Sequence, residues 1–214
     1  MVKTILSECW DNWKTDRHPK NRRMVVIHEK IGEPSMSSEN IRFLINEIVR
    51  RHHPNFYLEV GTWVGHSLMS AAYNNEDTAC VGIEDFSRHP DRDRLNKTFT
   101  DMHPTNAWVC EGGFEDVIPQ LTEMKKKVGV FYYDGDHSHC STLLGLYMAL
   151  PLMAPHSFIL IDDLMMKSVA HAKRRFLDAN PEWEEVMCIV PPREQDIKKT
   201  FRPWYNGFCV LERK

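Results

Sequence analysis

The sequence predicts an α/β fold: a seven-stranded, mostly parallel sheet with helices on both faces and an antiparallel edge strand. Three observations predict it. Short apolar runs alternate with amphipathic stretches over most of the chain, giving five strand–helix repeats. The run VGVFYY (128–133) is apolar and aromatic throughout, as strands covered on both faces are. Two further strand-like segments follow the last helix, which suits an antiparallel pair at one side of the sheet. Composition agrees with one ordinary globular domain: 214 residues, 27 Lys+Arg against 30 Asp+Glu and 42% hydrophobic. A chain of this length buries roughly 70% of its unfolded surface, so its core needs no metal or disulfide, and any metal it binds serves function.

The elements follow in order. Leu6, Cys9, Trp10 and Trp13 recur at helical spacing, giving a short N-terminal helix whose aromatic face covers the core or a partner. MVVIHEKIGEPSM (24–36) reads as an extended segment turning at Gly32 and Pro34, placed to act as a lid. Ser37 and Ser38 cap a helix that presents Ile41, Leu44, Ile45, Ile48 and Val49 on one face until Pro54. Strand 56–60 then runs into Gly61, with a helix over 67–75. Strand 79–83, a helix carrying Leu95, Phe99 and Met102, and strand 107–110 continue the alternation. The next helix carries Val117, Ile118, Leu121 and Met124 and ends in Lys125, Lys126 and Lys127, where cations in a last turn offset the helix dipole. After strand 128–133 come a helix near 140–153, strand 157–161, a helix over 168–179, and strands 186–190 and 207–212. The polar stretch 191–206 between the last two is long enough to be a functional loop. Residues 1–36 are thus a helix and lid segment, and 37–214 the core of a single domain.

Several function classes recede on composition. A net charge of −3 gives no field that attracts nucleic acid or an anionic membrane. No apolar run approaches the ~18 residues of a membrane span. The N-terminus has acids and tryptophans where a signal peptide needs an apolar core. The six cysteines show no CxxC pair and read as reduced thiols, so the expected compartment is the cytoplasm.

Ligands of open α/β sheets bind at the carboxyl ends of the strands, which selects four places. Glu59-Val-Gly61-Thr62-Trp63-Val-Gly65-His66-Ser67 follows the first strand. Its glycines allow close backbone approach, but the spacing fits neither dinucleotide nor phosphate loops, and Glu59 suits a cationic or amino-bearing ligand. Glu84-Asp85 ends the second strand, where an acid can accept from a ribose diol. Gly112-Gly113-Phe114-Glu115 ends the third, where a ring or amide can line an adenine pocket. Asp134-Gly-Asp-His137-Ser-His139 ends the fourth, and Asp162-Asp163 the fifth. Those two strands are expected neighbours, so three carboxylates converge. Without a cation they raise one another's pKa; a hard divalent ion, Mg²⁺ or Mn²⁺, resolves the repulsion.

The run ExGxxxGxS, an acid after strand two and an Asp after strand four resemble the class I S-adenosylmethionine-dependent methyltransferases over about residues 37–212. The resemblance implies the Rossmann-like fold of that class. It also implies that Glu59, Gly61, Gly65 and Ser67 cradle the amino acid part of S-adenosylmethionine, with Thr62, Gly113 and Asp134 completing the cofactor set. Glu84 holds the ribose, with Asp85 beside it as the alternative, and Phe114 lies near the adenine. The DGxH pattern followed by an acidic pair is similar to the metal-dependent sugar O-methyltransferases of macrolide biosynthesis, to the cephalosporin hydroxylase-like family and, in parallel, to the catechol-type enzymes. That likeness implies Asp134, Asp162 and Asp163 as metal ligands and His137 as general base; Asp162 stands where the sugar enzymes more often have Glu. His139 is the alternative base, but a hydroxyl needs both a cation to acidify it and an adjacent imidazole to take its proton, which favours His137.

The expected function is therefore metal-assisted O-methylation of a sugar, either a deoxysugar or a glycan terminus, with a catechol as the second acceptor. Trp10, Trp13, Trp204 and Tyr205 are candidates to stack on the acceptor or to fill the core. A metal-independent methyltransferase and a non-catalytic binding module are the rival readings. Self-association is left open.

Overall fold

The computed structural model describes residues 1–20, 36–191 and 203–214. Of the proposed lid at 24–36 only Met36 is among them, and of the loop at 191–206 only Pro191 and residues 203–206. Among the described residues seven strands form one sheet: β1 (Phe56–Val60), β2 (Ala79–Glu84), β3 (Ala107–Glu111), β4 (Val128–Tyr133), β5 (Met153–Asp162), β6 (Trp183–Ile189) and β7 (Phe208–Arg213). Their order is β3-β2-β1-β4-β5-β7-β6. The first five pair in parallel, while β7 runs antiparallel between β5 and β6. The chain reverses outward from β1 to β2 on one side and to β4 on the other, and this switch point leaves a crevice at the strand ends.

Among the described residues the α-helices are α1 (Val2–Cys9), α2 (Glu39–His52), α3 (His66–Ala72), α4 (Arg92–Met102), α5 (Phe114–Glu123), α6 (His139–Ala149) and α7 (Lys167–Ala179). None among the described residues is long and apolar enough to cross a membrane. Ser38 caps α2 by accepting from the Ile41 N–H, as its position predicts, and His53 closes the helix in the left-handed region. The core divides by sheet face. One face packs α1, α2 and α3 against Tyr57, Val130, Tyr132 and Leu160, and the other packs α5, α6 and α7 against Leu58, Phe131, Tyr133 and Ile161.

The aromatic N-terminal helix covers the core. Val2, Ile5 and Leu6 are buried, and Trp10 and Trp204 are 1% and 0% exposed with ring centroids 5.7 Å apart. Trp10 Nε1–H donates to Asn40 Oδ1 at 3.1 Å. Burying each of these large side chains stabilises the fold by about 1.5–3 kcal/mol, well above the exposed Glu8–Arg51 ion pair nearby. Trp10 and Trp204 are thus core residues, and Trp13 packs on the same cluster.

Several boundaries differ from the sequence reading: α3 ends at Ala72 rather than 75, α6 at Ala149 rather than 153, and β6 begins at Trp183 rather than 186, while two more have a clear physical cause. Helix α5 stops before the three lysines, because Met124 ends it and Lys125 turns left-handed (φ 54°); the lysines stand in an exposed turn. Strand β5 begins four residues early, at Met153, where exposed Pro155 and His156 hide its start.

Candidate active site

The strand ends open into a cavity of about 550 Å³. It is lined by the β1–α3 loop, Glu84 and Asp85, Gly113 and Phe114, and the acids after β4 and β5.

On the β1 side the site is built from backbone. Gly61 takes φ 87°, and a Cβ there would lie 2.1 Å from the Asp134 carbonyl oxygen, so only glycine lets the ends of β1 and β4 approach this closely. Gly65 (φ 86°) is the cap residue just before α3. Thr62 is buried, and its hydroxyl covers Gly82 of β2, where a Cβ would meet it at 2.1 Å. Glu59, expected to line the cavity, is fully buried behind the residues that do, because strand β1 holds its side chain inside the sheet's packing. Tyr57 Oη–H donates to its Oε2 at 2.7 Å and Ser67 Oγ–H to its Oε1 at 3.1 Å, but burial outweighs these donors and pushes its pKa up to about 7.

Glu84 and Asp85 separate clearly. Glu84 is half-buried at the end of β2 and accepts the Trp63 N–H at 2.6 Å and the Phe86 N–H at 3.0 Å, bracing the glycine loop. Asp85 is exposed and accepts the Ser87 N–H. Phe114 opens α5 and sets its ring edge-on to Tyr133, with centroids 6.1 Å apart; Gly113 precedes it as the cap residue.

On the β4–β5 side the site is built from charge. Parallel pairing of β4 with β5 brings the acids together as expected. One ligand atom each from Asp134, His137 and Asp163 lies within 4.8 Å of the others. His137 Nε2 stands 2.8 Å from Asp163 Oδ2. Asp162 is held differently: its Oδ2 accepts from Tyr132 Oη–H at 2.6 Å and its Oδ1 from the Asp163 N–H at 2.7 Å. The same Tyr132 hydroxyl is 3.2 Å from Asp134 Oδ2. Burial and then mutual repulsion push Asp162 up to about 7 and Asp134 well above the carboxylate range. The bond to Asp163 raises the His137 imidazole above its ordinary value. His139 stands apart, its ring stacked on His171 at 4.6 Å.

Three supporting residues escaped the sequence reading. Tyr57 and Tyr132 sit two positions before Glu59 and Asp134, so strand alternation puts each phenol on its acid's face, a legible signal. Asn206, whose Nδ2–H donates to Asp163 Oδ1 at 2.6 Å, carried no such signal. At the cavity lip Arg88 pairs with Asp136, tying the β2 loop to the β4 loop.

Two solved structures illustrate the likeness. An O-methyltransferase from Bacillus cereus in complex with SAH is 17% identical over 100% of both chains, with a TM-score of 0.69. The O-methyltransferase TomG from Streptomyces achromogenes, involved in tomaymycin synthesis and solved with SAM, is 16% identical over 88% of this chain and 86% of that one, with a TM-score of 0.67. No curated protein matches the chain. The family model described as a methyltransferase domain matches residues 58–164, half of the chain, from β1 through the acids after β5. The chain therefore belongs to the methyltransferase domain family and carries the Rossmann-like fold of class I.

Proposed function

We propose that this single-domain protein is an S-adenosylmethionine-dependent, divalent-metal-assisted O-methyltransferase whose acceptor is a sugar hydroxyl, on a deoxysugar or glycan terminus. One observation carries the reading: the Asp134–His137–Asp163 cluster faces the same cavity as the Gly61 loop, so a methyl donor and an ion-bound hydroxyl would share one space. The chain's residues fit both groups. The close approach at Gly61 leaves a backbone cradle beside buried Glu59, whose carboxylate suits an ammonium group. Burial and then repulsion among the acids raise Asp162 to about 7 and Asp134 well above the carboxylate range, which an ion of 2+ charge and oxygen preference would relieve. Asp134, Asp163 and Asp162 would hold Mg²⁺ or Mn²⁺, with Tyr132 and Asn206 orienting their carboxylates.

S-adenosylmethionine supplies a methyl group on a sulfonium centre, and a bound divalent ion supplies charge that acidifies a hydroxyl. The protein does the rest. Glu59 and the backbone around Gly61 fix the donor, Glu84 faces the ribose, and Phe114 lines the adenine side. Asp163 accepts the His137 Nε2–H, fixing the tautomer in which Nδ1 receives the acceptor's proton. A vicinal diol presents two oxygens to one ion, which favours a sugar. Tyr205, whose ring lines the cavity beside the acids, keeps a catechol as the second acceptor.

The cluster also supports a second role for His137, as a ligand rather than a base. Transfer of label from S-adenosylmethionine to a panel of free and nucleotide-linked sugars, glycans and catechols, with Mg²⁺ or excess EDTA, tests the function. Transfer to a sugar that stops in EDTA is expected; full turnover in EDTA would remove the metal. His137→Ala is expected to lower turnover about 100- to 10,000-fold while calorimetry finds S-adenosylmethionine and Mg²⁺ still bound. Loss of Mg²⁺ binding would make His137 a ligand, and near-normal turnover would end both roles.

A further inference from the structure

A second group of reactive side chains lies away from the cavity, on the sheet face covered by α7. Cys188 of edge strand β6 and Cys209 of β7 are direct cross-strand partners. Directly opposed residues of an antiparallel pair have Cα atoms about 4.5–5.5 Å apart, within the range a disulfide spans. One carboxylate oxygen of Glu185 and both sulfur atoms lie within 4.8 Å of one another. Lys173 reaches down from α7: its Nζ–H donates to Cys188 Sγ at 3.4 Å and also to Glu185. Cys209 is buried, whereas Cys188 is half-buried on the outermost strand, so the two thiols differ in access.

We propose that Cys188 is a site of covalent thiol–disulfide exchange, taking a low-molecular-weight disulfide, with Lys173 stabilising its thiolate and Cys209 as the resolving thiol. The electrostatics follow the geometry. The Cys209 thiol and the Lys173 ammonium bring Cys188 down to about 7, and burial holds Cys209 well above the usual thiol range. The Cys188 thiolate attacks one sulfur of the disulfide RSSR, forming Cys188–S–S–R and releasing RS⁻. Cys209 then attacks the Cys188 sulfur, its proton passing to the departing second RS⁻. The balance is two protein thiols oxidised to one disulfide and RSSR reduced to two thiols. The same three donors resemble a soft-cation site, but an ammonium in contact with both Glu185 and Cys188 opposes a dication there.

Exposed Cys140 provides an internal comparison. The full-length protein would be treated with oxidised glutathione at pH 7, quenched with an alkylating agent at intervals, digested and mapped by mass spectrometry. Cys188 is expected to react about fivefold faster than Cys140, and a Cys188–Cys209 cross-linked peptide should replace its mixed disulfide. In Cys209→Ser the glutathione adduct should persist on Cys188, and Lys173→Met should slow its formation about threefold. The wild-type time course is decisive even if a variant folds poorly. Reaction at Cys140 with Cys188 left free, or a Cys188 adduct that never resolves, would overturn the proposal. So would one equivalent of Zn²⁺ held by the protein and shielding both thiols.

Discussion

The two walls of the cavity solve the problem of a buried acid in different ways. At the β1 wall, Glu59 is enclosed by donors from its own element and the next helix, Tyr57 and Ser67, and the surrounding shape comes from glycine backbone. At the β4–β5 wall, Asp134, Asp162 and Asp163 meet with one tyrosine hydroxyl, one amide side chain and one imidazole among them. Burial, with a lesser push from Glu84, raises Glu59, whereas Asp134 is raised by burial and by Asp162 and Asp163, and Asp162 by burial and by Asp163. In the proposed function a single cationic group on the ligand would complete the first wall and a centre of higher charge the second, so the cradle and the ion site would differ in how their carboxylates are opposed.

The largest structural effect is expected where the walls touch. In Gly61→Ala the new methyl would meet the Asp134 carbonyl oxygen at 2.1 Å, and the left-handed backbone adds its own penalty. Overpacking and strain together should cost about 3 kcal/mol. Gly65→Ala is the control: its contact, Leu95 Cδ1 at 2.9 Å, is a side-chain tip that can move, so strain dominates and about 1 kcal/mol is expected. Urea midpoints of the two variants check this. Equal losses would mean that the walls are not braced through the Gly61 contact.

Glu59→Gln probes the first wall through pH. Glu59 takes up a proton near 7 in the folded chain and near 4.5 when exposed. Between those values the folded state holds a proton that the unfolded state has lost, so rising pH removes about 1.4 kcal/mol of stability per unit. Below 4.5 both states are protonated and the penalty vanishes; above 7 it is complete, at about 3 kcal/mol. The stability of Glu59→Gln relative to wild type should therefore climb by that amount from pH 4.5 to 8, read from urea unfolding at each pH. A flat difference would show that the Tyr57 and Ser67 bonds already offset burial.

Much of this architecture was legible in the sequence because parallel strands buried on both faces leave apolar runs. Phe56–Val60 and Val128–Tyr133 have the predicted bounds. The start of β5 was not, because Pro155 and His156 break the pattern where the strand leaves the core. Nor was the end of α5, since a lysine run reads equally well inside a last turn or beyond it. The acids after β4 and β5 could be found because topology sends consecutive strand ends to one place. Asn206 could not: it reaches Asp163 from 43 residues away, through the turn before β7. The placement of Trp10 and Trp204 in the core likewise depended on where α1 docks.

A smaller effect than that of Gly61→Ala or Glu59→Gln compares the walls most directly, because each has a tyrosine two residues before its acid. Tyr57→Phe removes one of two donors from Glu59, and Tyr132→Phe removes the hydroxyl shared by Asp162 and Asp134. The lost bond to Glu59 or to Asp162 should cost about 2 kcal/mol at pH 8, where those two carboxylates are charged. At pH 5 both Glu59 and Asp162 hold protons, so both losses should shrink. Mg²⁺ should then separate the pair. If the β4–β5 acids bind the ion, thermal stabilisation of wild type by Mg²⁺ should be retained in Tyr57→Phe and weakened in Tyr132→Phe, since a residue orienting a ligand commonly changes metal affinity by about 10- to 100-fold. Equal Mg²⁺ responses would mean that the ion does not depend on the carboxylate geometry Tyr132 imposes, and that the walls differ in charge without differing in task.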